Sequence, residues 1–283
     1  MIALFRFLSR LPLHVLHNLG ALVGLLVWLA SPAYRRHLRE NLAAAGLAAV
    51  HWAAVAEAGK GLLELPKVWL RPQAEVVARV VRVSGWEQVE AAWSVGRGIV
   101  FLTPHLGCFE ITAQYYAARR PMTVLYRPPK QAWLQTLIEN GRGAHLTLAP
   151  ADLSGVRRLL KALKAGEAVG LLPDQVPGKG EGVWAPFFGR PAYTMTLAAR
   201  LAETGATPIL AYAERLSYGA GFHLRLFDLR APLAGSLAER TAQINAALEG
   251  LIRECPTQYL WGYNRYKKVR GAGEPPAPDR AGA

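Results

Sequence analysis

Cysteine is almost missing from this chain. Cys108 and Cys255 are the only two in 283 residues, too few and too far apart for a disulfide scaffold or a cysteine-rich zinc module. They fit a reducing compartment. Acidic residues are scarce as well: 20 Asp and Glu face 33 Lys and Arg, for a formal net charge of +13. Charged residues of both signs make up only 19% of the chain, against 52% hydrophobic. This balance excludes a disordered or collagen-like protein. It is also too apolar for an ordinary basic nucleic-acid binder, so no nucleic-acid partner is expected. There is no internal repeat and no clear interdomain linker. A chain both apolar and basic suits an anionic membrane surface or acidic partners.

One stretch lacks charge altogether. From Leu11 to Pro32 there is no Asp, Glu, Lys or Arg, and its core reads LGALVGLLVWLA. Arg6 and Arg10 precede it; Arg35, Arg36 and Arg39 follow it. A spanning helix needs about 20 apolar residues, and Pro12, His14, His17 and Asn18 weaken the first half. A cleaved signal peptide is disfavoured because no small-x-small site follows; a buried core helix is the bland alternative. Residues 1–32 are expected to form an apolar membrane-anchoring helix, either spanning or interfacial.

Beyond Pro32 the pattern stays helical to about residue 80, over Tyr34 to Ala45 and Val50 to Trp69. Five strand-like runs follow: Gly98–Thr103, Met122–Arg127, Glu167–Leu172, Thr207–Glu214 and Phe222–Asp228. Between them, Leu153, Val156, Leu159, Leu160 and Leu163 recur at helical spacing, as do Leu237, Thr241, Ile244, Leu248 and Leu251. Ser236 and Glu239 form a capping-box pattern ahead of the second. Strands alternating with helices predict an α/β fold with a mixed, mostly parallel central sheet flanked by helices. The tail from Gly271 to Ala283 is expected to be disordered.

The first strand runs into Thr103-Pro-His-Leu-Gly-Cys-Phe-Glu110. His105 therefore falls just past a strand's carboxyl end, where open α/β sheets place ligands. Gly107 allows a sharp turn, and Glu110 opens a helix. A carboxylate beside a histidine fixes its tautomer and stabilises the imidazolium, so His105 is a candidate general base with Glu110 orienting it. On spacing alone a capping histidine and a solvent-facing glutamate remain the commoner outcome.

Further segments change that balance. The H-x4-E segment, Tyr126-Arg127-Pro128, Asn140-Gly-Arg142, Pro173-Asp174-Gln175, Val183-Trp-Ala-Pro-Phe-Phe-Gly189 and Tyr259-Leu-Trp261 with Arg265 and Lys267 occur in order. Together they resemble the late acyltransferases of lipid A biosynthesis, the lauroyl/myristoyl transferases, within the glycerolipid acyltransferase superfamily. One departure is that Asn264 stands where the family commonly carries a basic residue.

The resemblance implies an acyltransferase domain over residues 33–270. It would move a fatty acyl group from acyl carrier protein, or coenzyme A, to a hydroxyl of an anionic membrane lipid at the cytoplasmic face of the bacterial inner membrane. No cofactor and no metal is implied. His105 and Glu110 would be catalytic. Arg127, Arg142, Gly107, Asp174 and Gln175 would serve the substrate, with Arg127, Arg142 or amides near Gly107 receiving the oxyanion. Another lipid acceptor, such as a lysophospholipid or aminolipid, and a non-catalytic basic membrane-binding protein are the alternatives.

Rival readings of single residues are weaker. Cys108 beside His105 invites a Cys–His hydrolase, but adjacent residues aim poorly at each other and a free cysteine is usually just small and buried. A metal site from His105, Glu110, His145 and Asp174 lacks clustered spacing. Gly178-Lys-Gly-Glu-Gly182 lacks a phosphate-loop pattern and reads as a mobile loop. Trp184, Phe187 and Phe188 fit an acyl pocket or ordinary core equally well. Arg157, Arg158, Lys161 and Lys164 read as a solvated helix face.

Overall fold

The computed structural model describes residues 1–129, 131–142, 145–229 and 231–276. Four helices open the chain: α1 (Ile2–Arg10), α2 (Leu13–Ala30), α3 (Pro32–Ala44) and α4 (His51–Leu70). Ser31 caps α3 by accepting from the Tyr34 amide, with Pro32 at the first helical position. α2 runs antiparallel along α4. Gly20 and Gly24 lie so close to Gly59 and the Val55 carbonyl that a Cβ at any of the three glycines would strike backbone.

The remaining elements alternate. They are α5 (Gln73–Val77), β1 (Val80–Ser84), α6 (Trp86–Val95), β2 (Ile99–Leu102), α7 (Phe109–Ala117), β3 (Met122–Tyr126), α8 (Ala132–Arg142), β4 (Thr147–Pro150), α9 (Leu153–Lys164), β5 (Ala168–Leu171), the hairpin β6 (Gly182–Phe187) and β7 (Arg190–Met195), α10 (Leu197–Ala202), β8 (Thr207–Arg215), β9 (Phe222–Asp228) and α11 (Leu237–Glu254). Seven strands form one sheet in the order β1-β9-β8-β2-β5-β3-β4. Every pair is parallel except β8 with β9. The expected mixed, mostly parallel sheet flanked by helices is what forms.

β2 is the centre. All four of its residues are buried, because helices cover both faces of the sheet. Ile99 and Phe101 pack with α6 and α7 on one side; Val100 and Leu102 pack with α9 and α11 on the other. Full burial of each such side chain contributes about 1.5–3 kcal/mol. The capping box at Ser236 and Glu239 starts α11 as its pattern predicts.

Four strands were not anticipated. β1 lies at a sheet edge with exposed Val81 and Arg82, so it lacks the apolar run that marks a buried strand. β4 has only four residues. β6 and β7 pair Pro186 opposite Pro191, and proline within a run argues against a strand. Of the tail, Ala272 accepts a hydrogen bond from the Trp184 indole, while residues 277–283 lie outside the described residues.

Candidate active site

The carboxyl ends of β2 and β5 build the site. The two strands are parallel neighbours, with Leu102 opposite Leu171. Three residues beyond that pair stand His105 and Asp174. The register alone brings them side by side, although they are 69 residues apart in sequence. Asp174 holds the histidine twice: Oδ1 lies 2.8 Å from His105 Nδ1, and Oδ2 accepts from the His105 backbone amide at 2.9 Å. Gln175 follows, its amide nitrogen 3.1 Å from His105 Nε2. A carboxylate on one ring nitrogen and an amide donor on the other favour the tautomer with its proton at Nδ1 and its lone pair at Nε2. The Phe109 ring packs on the imidazole at 4.7 Å between centroids.

Burial pushes the Asp174 carboxyl up, but the adjacent His105 and two hydrogen bonds from it more than offset this, so its pKa lies below the ordinary 3.8. The Tyr259 phenol lies against the same carboxylate; burial and then the charge of Asp174 push it well above the usual tyrosine value.

The turn after His105 is clamped by distant segments. Gly107 takes φ +61, and a Cβ there would run into the Ala213 carbonyl oxygen. The Gly107 amide donates to the Gln258 carbonyl at 3.1 Å and the Cys108 amide to the Ala213 carbonyl at 2.8 Å. The Leu260 amide donates to the His105 carbonyl at 3.1 Å. The Gln258 side chain in turn bridges both backbone groups of Arg215 at 2.8 Å each.

An apolar cavity of about 350 Å³ opens beside the imidazole. Its walls come from the catalytic turn (His105, Gly107 to Glu110), from Val23 and Val27 of α2, from Leu62 and Leu65 of α4, and from Tyr259 and Leu260. Glu57, Glu64 and Arg215, members of a buried ionic cluster, complete the wall. The Arg215 guanidinium donates to both oxygens of Glu64 at 2.8 and 2.6 Å and to Glu57 at 2.6 Å. His17 of α2 meets Glu64 at 3.1 Å. Burial raises the Glu64 carboxyl, yet Arg215 and His17 outweigh it and leave its pKa below the ordinary value.

This geometry can be set beside known proteins. Residues 1–268 match the model of the bacterial lipid A biosynthesis acyltransferases. A lipid A biosynthesis lauroyltransferase of Escherichia coli K12 is 32% identical over 223 residues, which cover 77% of this chain and 71% of that protein. A palmitoleoyltransferase of the same organism is 27% identical over 220 residues, 76% and 70% of the two chains. A lipid A biosynthesis acyltransferase of Haemophilus influenzae is 23% identical over 181 residues, 62% and 56%.

The chain belongs to the bacterial lipid A biosynthesis acyltransferase family.

It is therefore an acyltransferase, and the resemblance read from six ordered segments holds. Within this acyltransferase, the residues singled out from sequence are placed unevenly. The carboxylate on His105 Nδ1 is that of Asp174, where the sequence reading expected Glu110. Glu110 is buried in the first turn of α7 and lines the same cavity. Asp174 and Gln175, expected to serve the substrate, both face the imidazole. The amides of Gly107 and Cys108 each donate to a protein carbonyl, so they are not open to an oxyanion. Arg127 is exposed just beyond β3, at the same edge of the sheet, and does not line the cavity. α8 ends at Arg142, whose side chain lies outside the described residues.

Cys108 is buried and faces Glu64, and burial raises its thiol well above the usual value, so it is no nucleophile. Phe187 and Phe188 pack in the core with Trp261, and neither these two nor Trp184 lines the cavity. Arg157, Arg158, Lys161 and Lys164 are exposed, the solvated face expected of α9. Among the described residues no group of three or more His, Cys, Asp or Glu is placed to hold a metal ion. What sequence reasoning missed is the Arg215–Glu64–Glu57–His17 cluster and the Gln258 clasp. Neither has a local signal, because each joins segments far apart in the chain.

Proposed function

We propose that this acyltransferase moves a fatty acyl chain from a thioester donor, acyl carrier protein or coenzyme A, to a hydroxyl of a lipid A precursor at the cytoplasmic face of the inner membrane. One observation carries the reading. With Nδ1 of His105 engaged by Asp174, the lone pair lies at Nε2, where an acceptor hydroxyl takes the place of the Gln175 amide, and the imidazole stands at the wall of a cavity apolar enough for an alkyl chain.

In the reaction the acceptor hydroxyl gives its proton to Nε2 as its oxygen attacks the thioester carbonyl. Asp174 stabilises the imidazolium that forms. The tetrahedral oxyanion collapses, the carbon–sulfur bond breaks, and the thiolate takes the proton back from Nε2, leaving an ester and a free thiol. Glu110 stays in the reading as a carboxylate of the cavity wall.

The test is mass spectrometry of membrane lipids from cells with and without the protein, with His105→Ala as control. Gain of one acyl chain on a lipid A species, only with His105 intact, supports the reading, and the mass difference names the chain. Gain on another lipid keeps the chemistry and replaces the acceptor. Purified protein given acyl carrier protein or coenzyme A thioesters in turn identifies the donor; turnover unaffected by His105→Ala would overturn the mechanism.

A further inference from the structure

Helix α2 has the length and hydropathy to cross a bilayer, since 18 residues at 1.5 Å each reach about 27 Å. Its packing says otherwise. Leu16, Gly20 and Gly24 face α4, and the contact runs along the whole helix. α4 carries Glu57 and Glu64, both bound to Arg215 at the end of β8. A spanning α2 would draw this ionic cluster and the sheet behind it into hydrocarbon, at a cost of several kcal/mol per ion. Both ends of α2 are also tied to the same body. Before its start, the Lys67 ammonium donates to the Ser9 carbonyl at 2.9 Å. At its other end, the Trp28 indole donates to His51 at 3.1 Å.

The opposite face of α2 is bare. Leu19, Leu22, Leu26 and Leu29 are exposed at helical spacing, as are Leu62 of α4, the helix packed on α2, and Phe7 of α1, which packs on α4. Such a patch marks an interaction surface. Its charge names the partner. No acidic residue occurs before Glu40, while Arg6, Arg10, Arg36 and Arg39 are exposed around the two ends of α2. Val27 and Leu62 are at once exposed and part of the cavity wall, so the mouth of the cavity opens on this patch.

We propose that α1, α2 and the exposed edge of α4 lie together in one leaflet of an anionic bilayer. The axis of α2 runs parallel to the membrane plane, and the cavity mouth at Val27 and Leu62 faces the acyl chains. This is monotopic attachment, not a transmembrane anchor. It does not depend on the acyl-transfer chemistry.

The experiment places nitroxide labels on cysteines introduced one at a time at Leu19, Leu22, Leu26 and Leu29; the native Cys108 and Cys255 are buried. Label depth is then measured on vesicles of phosphatidylethanolamine and phosphatidylglycerol. All four should sit at one shallow level, about 5–10 Å below the headgroups. A depth that peaks at Leu22 and Leu26 and falls away at Leu19 and Leu29 would show a crossing helix and overturn the proposal. So would labels that stay in water, or equal binding to pure phosphatidylcholine vesicles. Arg6→Cys and Arg36→Cys give a check on otherwise native α2. Neither should react with an impermeant thiol reagent outside intact spheroplasts, and both should react after lysis. Reaction of one alone before lysis would mean that α2 spans.

Discussion

Asp174 sets both of its oxygens on His105, with the Tyr259 phenol against the same carboxylate, so its exchange is the sharpest single-atom test of the site. Asp174→Asn keeps the shape and removes the charge that an imidazolium needs. It should lower kcat by about 10²–10⁴-fold with little change in KM, read from steady-state kinetics on a thioester donor. His105→Ala should lose a similar factor, and the double variant no more than the larger of the two, because the pair acts as a unit. Glu110→Gln separates the two carboxylates: it should leave the His105–Asp174 contact in place. The depressed pKa of Asp174 has a clear sign. The carboxylate stays ionised until the pH falls below the ordinary 3.8, so loss of activity in milder acid does not come from this group. At Gly107 the constraint is steric. Gly107→Ala forces an unfavourable positive φ and a collision with the Ala213 carbonyl, and turnover should fall together with thermal stability.

Among elements, the seam between α2 and α4 has the least room. Gly59→Val or Gly24→Val would push the helices apart, costing about 1–3 kcal/mol or more. That is a loss of several degrees in Tm, measurable by calorimetry. The same scale explains what the sequence could tell. β2, β3, β5 and β8 were visible because buried strands of a mostly parallel sheet are apolar runs, and β9 by its alternation. The helices around Leu159 and Leu248 were visible by their period. β1 and the β6–β7 hairpin were not, since an exposed edge and paired prolines erase the pattern. His105 was legible as a site residue from its place after a strand. Its partner was not: the choice between Glu110 and Asp174 depends on β5 lying beside β2, and no local pattern states which strands are neighbours. The Arg215 cluster was hidden for the same reason, with Glu64 and Arg215 separated by 151 residues.

For the whole molecule, charge and acid stability follow from groups already placed. Arg215→Met leaves the buried Glu64 without its guanidinium, while Glu57 keeps Lys60, and should cost about 3–5 kcal/mol by denaturant titration. Glu64 is held below its ordinary pKa of 4.5, so its stabilising contribution is complete above that value. It is lost as the pH falls through the lower value of the folded state. Glu64→Gln removes this acid dependence from the stability profile, on top of a general loss. The excess of 33 basic over 20 acidic residues should make binding to phosphatidylglycerol vesicles weaken as salt rises, measured by sedimentation.

The clasp of Gln258 to Leu260 on the catalytic turn also orders events in time. Translation proceeds from the amino terminus at roughly 5–20 residues per second. α2 and α4 have therefore left the ribosome on the order of ten seconds or more before the segment that closes over His105. A nascent chain stalled before Tyr259 already owns its membrane face but not a finished catalytic turn. Birth at the bilayer thus precedes competence, and an incomplete chain released there is delivered without being active.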